Sequence, residues 1–155
     1  CTPSGTQWYR GNIESVDSSG SGTPQGQRTV NALAMDDYLL GVVPSESPSS
    51  WGALGNGSGQ QALDAQAVAA RSYAAAQNRS SYAKICDSTA CQVYQGAAVQ
   101  NGGTFRTVEN AASTGAVLAM VGGRRAAVPR RHADLGVRLR RMAQHERRTC
   151  RRIRR

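Results

Sequence analysis

Hydrophobic and polar positions alternate twice near the start of the chain. Residues 11–17, Gly-Asn-Ile-Glu-Ser-Val-Asp, predict one strand, and residues 28–35 predict its partner, with the Ser/Gly run at 18–22 as the turn between them. Asp36-Asp37 then offers an N-cap for a short helix over 38–43, which Pro44 is expected to stop. Residues 49–59 are Ser/Gly-rich and read as a loop. The strongest helical pattern runs from Gln60 to about Arg79. Leu63, Ala67, Ala70 and Ala74 form a narrow apolar stripe there, broadened by Val68 and Tyr73. A shorter helix is predicted over 107–113, ended by Gly115, with a strand at 116–121. Short strands with segregated helices point to an α+β fold.

Charge divides the chain. Residues 1–123 hold six Lys+Arg against eight Asp+Glu, whereas residues 124–155 hold thirteen Arg, no Lys, and only Asp134 and Glu146. The overall net charge of +9 therefore describes the last fifth and not the body. Two segments follow: 1–123 as a single domain, and 124–155 as an arginine-rich tail expected to be disordered or non-native. Arginine without lysine fits a GC-rich gene read in a shifted frame after about residue 123. A basic tail of this kind would attract nucleic acid or anionic wall polymers by charge alone. It lacks interleaved aromatic residues, so no specific nucleic-acid partner is expected. No stretch approaches the ~18 apolar residues of a membrane span. The start at Cys1 reads as a fragment or processed form, with any export signal upstream.

Candidate chemistry is sparse. No phosphate-binding or dinucleotide glycine motif and no HExxH is present, and both histidines, His132 and His145, lie in the arginine tract. Glu46 sits in Val43-Pro44-Ser45-Glu46-Ser47-Pro48 at the end of an apolar run. A carboxylic acid held in an apolar turn has its charged form disfavoured, which suits general-acid work; a surface loop glutamate is the plainer reading. Arg71 is the only charge between Asp64 and Arg79. Glu46, an anionic substrate or bulk solvent could satisfy it. Cys86 and Cys91 could close a disulfide, supply thiolates to zinc or remain free. The disulfide is the favoured reading, in an oxidising compartment.

The segments together resemble the SpoIID/LytB family of bacterial cell-wall proteins. The resemblance is carried by Tyr9-Arg10-Gly11, by Met35-Asp36-Asp37-Tyr38-Leu39-Leu40-Gly41-Val42-Val43-Pro44-Ser45-Glu46, by Ala65-Gln66-Ala67-Val68-Ala69-Ala70-Arg71-Ser72-Tyr73-Ala74, and by Ile85-Cys86-Asp87 through Cys91-Gln92-Val93-Tyr94-Gln95-Gly96. A weaker match continues over 108–118. The resemblance implies one α+β domain, incomplete after about residue 123, in a protein of the cell envelope acting on peptidoglycan glycan strands. It implies a lytic transglycosylase with Glu46 as acid/base and Arg71 as a second catalytic residue, orienting the glutamate or touching substrate. Ser45, Tyr73, Gln92 and Tyr94 are the implied substrate-binding residues. Most glycosidases need two carboxyl groups. Lytic transglycosylation needs one, because the sugar's own C6 hydroxyl attacks and leaves a 1,6-anhydro end. The alternative implied by the family is a non-catalytic amidase enhancer that stimulates a partner cell-wall amidase. Family members with zinc hold it near the cysteine segment with a preceding histidine. Here Ser80, Ser81, Tyr82, Ala83 and Lys84 precede Cys86, so no cofactor is expected.

Overall fold

The computed structural model describes residues 5–20, 22–24, 26–86, 88–125 and 137–140. Strand β1 (Thr6–Trp8) is followed by the hairpin β2 (Asn12–Asp17) and β3 (Gln27–Leu33), in the register Asn12↔Ala32 to Asp17↔Gln27. The turn between them is tied by Asp17, whose Oδ1 accepts from the Ser19 and Gly20 amides at 2.9 and 3.1 Å. Helix α1 (Met35–Glu46) and a kinked 3-10 segment (Ser49–Gly57) lead into α2 (Gln60–Ala76). Then come β4 (Ile85–Cys86), β5 (Ala98–Asn101), β6 (Thr104–Thr107), α3 (Ala111–Arg125) and β7 (Val137–Arg140).

The three helices pack on one another. Tyr38, Leu39, Val42 and Val43 of α1, Leu63, Ala67, Ala70 and Ala74 of α2, and Ala116 and Val117 of α3 form one buried cluster with Leu33, Ile85 and Tyr94. The alanine stripe of α2 is the reason these helices can approach closely. Two sheets flank them: β2-β3-β7-β4, which is antiparallel except for the β7–β4 pair, and β1-β5-β6, antiparallel throughout. The α+β expectation holds, and so do the hairpin and α2.

Expectations about two helices change. Pro44 lies inside α1. The helix ends instead because Pro48 forces the preceding residue out of the helical region, and Ser47 is extended at φ −132°, ψ 129°. Second, residues 111–125 are one helix where a break at Gly115 and a strand were expected. Asn110 caps it, its Oδ1 accepting from the Ser113 amide at 3.0 Å. Ser113, Ala116 and Val117 are its buried positions, at helical and not strand spacing. Gly115 faces open space, so nothing there demanded a stop. α3 continues to Arg125, and Val137–Arg140 pairs with both β3 and β4; the rest of the tail expected to be disordered or non-native lies outside the described residues. Among the described residues no helix is long and apolar enough to cross a membrane.

Candidate active site

The last turn of α1 presents Glu46 at the surface. Its Oε1 accepts a 2.6 Å hydrogen bond from the backbone N–H of Val93, 47 residues further on. Val93 belongs to the irregular run 91–96, which crosses α1 closely at Gly41. A methyl group at Gly41 would stand 2.6 Å from Tyr94 Cε2 and 2.8 Å from the Gly96 carbonyl oxygen. Glycine is therefore what lets this segment lie against the helix and bring Val93 to Glu46.

Burial alternates along the run. Gln92, Tyr94 and Gly96 point inward while Val93 and Gln95 are half-exposed. Gln92 is buried, accepts a hydrogen bond from the Tyr38 hydroxyl at 3.0 Å and donates to the Ala70 carbonyl at 3.5 Å. Tyr94 is buried against Tyr38, with ring centroids 5.2 Å apart, and its hydroxyl accepts from Asn31 at 3.4 Å. Burial pushes the Tyr38 phenol well above its ordinary range, and Tyr94, Glu46 and Tyr73 add to the effect. Tyr94 is likewise raised, by burial first and then by Tyr9, Asp37 and Glu109, against the hydrogen bond from Asn31.

The residues expected at the site separate into two groups. Glu46 is exposed, and Tyr73 is half-buried against the core cluster, its hydroxyl accepting from Arg79 at 3.4 Å. Ser45 is half-buried beside Glu46, but its hydroxyl donates to the Gly41 carbonyl at 2.7 Å in its own helix. Gln92 and Tyr94 face the core. Their polar atoms are bonded inside the protein. The apolar turn expected around Glu46 is corrected, since the side chain is exposed.

Arg71 reaches the end of α1 opposite to Glu46. Its Nη2 pairs with Asp36 Oδ1 in the first turn of α1. Asp36 and Glu46 are ten residues apart on that helix, about 15 Å along its axis. The arginine side chain is only 14 % exposed, against 45 % for Asp36, so little of it remains for a ligand. Arg71 therefore joins α2 to the start of α1. A second arginine meets the same turn of α1: Arg10 donates to both oxygens of Glu109, at 2.6 and 2.7 Å, and lies 3.7 Å from Asp37.

Cys86 and Cys91 are joined as a disulfide with Cα atoms 5.8 Å apart. Joined sulfurs cannot serve as thiolate ligands, and among the described residues no group of three His, Cys, Asp or Glu side chains could hold a metal. Sequence reasoning also missed Val93, Asp36 and Tyr38 as partners of the site. For Val93 no side-chain signal exists, since the contact uses its backbone.

A family model described as Stage II sporulation protein (SpoIID) matches residues 23–121, a span that includes Glu46, Arg71 and the 91–96 run. No curated protein and no solved structure matches the chain.

Proposed function

The chain belongs to the SpoIID family, tied to sporulation and the cell wall, and from that premise we propose that it is a lytic transglycosylase of peptidoglycan with Glu46 as its single acid/base. The observation that carries this reading is the Val93 N–H on Glu46 Oε1. An oxygen that accepts an N–H keeps carbonyl character when the acid is protonated, so the proton resides on Oε2. Among the described residues Oε2 has no bonding partner, and the side chain is exposed to an incoming polymer. Protonated Glu46 gives its proton to the glycosidic oxygen as the bond to the anomeric carbon breaks. The carboxylate so formed takes the proton of the C6 hydroxyl, which closes on the anomeric carbon to give the 1,6-anhydro ring. The acid is restored without water and without a second carboxyl.

Tyr73, on the accessible side of the same cluster, is the side chain we assign to substrate contact. Arg71 holds the α1–α2 pair together through Asp36 and takes no part in proton transfer. The substrate is a glycan strand of the cell wall, which places the protein outside the cytoplasm.

The test is the chemistry of the new chain ends. Peptidoglycan incubated with the full chain is expected to release muropeptides with 1,6-anhydro ends. Reducing ends would mean that water attacks, which contradicts the mechanism. Intact glycan together with faster stem-peptide release by an added amidase would favour the amidase-enhancer reading instead.

A further inference from the structure

Four consecutive residues, 91–94, are each tethered to the fold, Cys91 to β4 and the next three to α1. Cys91 is bonded through sulfur to Cys86 at the end of β4, and the Cys86 amide donates to Cys91 Sγ at 3.3 Å. Gln92 bridges the Tyr38 hydroxyl and the Ala70 carbonyl, Val93 N–H holds Glu46, and Tyr94 packs on Tyr38. On the N-terminal side of this run, Thr89 and Ala90 are exposed and Ser88 is half-exposed. Packing there is thin, and the disulfide is the covalent tie that joins Cys91 to the four-stranded sheet.

We propose that the Cys86–Cys91 disulfide is a positioning device for Glu46, so that the oxidation state of this pair sets whether the Val93 amide is presented to the carboxyl. A dithiol reductant breaks the bond by transferring two electrons and two protons: two thiols form on the protein while the reductant closes to its own disulfide. Cys91 then loses its covalent tie to β4 and keeps only its packing against the core and its amide's bond to the Ser88 carbonyl, so that Val93 is positioned by non-covalent contacts alone. The consequence for turnover rests on the catalytic reading of Glu46; the consequence for the Val93 amide does not.

The experiment uses the full chain with Cys1→Ser and Cys150→Ser, so that only the 86–91 pair responds to dithiothreitol. Two quantities are read in the oxidised and reduced protein. The first is the pH titration of the Val93 amide proton by NMR. Oxidised protein should show this amide moving with the Glu46 carboxyl, and Glu46→Gln should abolish the movement. Reduction, or the Cys86→Ser/Cys91→Ser pair, should abolish it too while the amides of Leu63 and Val117 keep their shifts. The second is anhydro-muropeptide release, where kcat should fall about ten- to a hundredfold with KM nearly unchanged. A Val93 amide that still follows Glu46 after reduction overturns the proposal. So does collapse of the Leu63 and Val117 shifts in both the reduced protein and the serine variant, because the disulfide would then hold the whole fold. If the oxidised protein releases no anhydro products, the catalytic reading of Glu46 fails while the Val93 titration still decides the positioning claim.

Discussion

The Asp36–Arg71 pair offers a quantitative separation of structural from catalytic arginine. Two unit charges at about 4 Å attract by ~4 kcal/mol at an effective dielectric of 20. Here one partner is 14 % exposed and the other 45 %. Solvent screening on the Asp36 side and desolvation of the guanidinium reduce that attraction to an expected coupling of about 1–2 kcal/mol. The perturbation is a double-mutant cycle of Asp36→Asn and Arg71→Gln, read by urea unfolding at fixed pH and ionic strength. A parallel cycle pairs Arg71→Gln with Glu46→Gln. With the two acids about 15 Å apart on α1, that second cycle should give a coupling within ~0.5 kcal/mol of zero. A larger coupling to Glu46 than to Asp36 would refute the assignment of Arg71 and return it to the acid.

Two further outcomes follow from the packing around the 91–96 run. Gly41→Ala gains about 1 kcal/mol of helix propensity but forces a methyl group to 2.6 Å from Tyr94 and 2.8 Å from a backbone oxygen, an overpacking that costs about 1–3 kcal/mol. Because the Gly96 oxygen is main chain and cannot rotate away, the net effect is a destabilisation of about 1–2 kcal/mol. It is seen as a lowered Tm, and a raised one contradicts the close approach. Tyr38 and Tyr94 are held above the ordinary tyrosine value of 10.0 by burial, so the unfolded chain ionises first. Their contribution is fully present below that value and is lost as pH rises above it, each by about 1.4 kcal/mol per pH unit. Tyr38→Phe should lessen the alkaline slope in urea unfolding, and a slope unchanged by the substitution would contradict its burial.

Much of the helical core was legible because its signals are local. The stripe Leu63, Ala67, Ala70, Ala74 recurs at helical spacing, and the hairpin strands alternate around a Ser/Gly turn. α3 was misread because Gly115 was taken as a stop, although a glycine on an exposed helix face costs only about 1 kcal/mol. β1, β5 and β6 went unseen. They are short, largely polar and exposed, and β1 pairs with a strand some ninety residues away, as in Thr6↔Gln100.

The site was legible as an acid in a motif and no further. α1 carries carboxylates at both ends, and composition gives no reason to join Arg71 to Asp36 rather than to Glu46. The alternation across Gln92, Val93 and Tyr94 was present in the sequence, but a buried glutamine disguises the inward face. The bonds to Tyr38 and Ala70 that make its burial possible are tertiary.

The central claim is that one carboxyl, that of Glu46, moves both protons of the reaction. The most direct measurement is mass-spectrometric detection of 1,6-anhydro muropeptides from peptidoglycan treated with the full chain and with its Glu46→Gln variant, both checked for an intact fold by their thermal unfolding. Glutamine keeps the side-chain carbonyl oxygen that accepts from Val93 but can neither give nor take the proton. The expected result is anhydro product from the first protein and none above background from the second. Equal product from both would contradict the account.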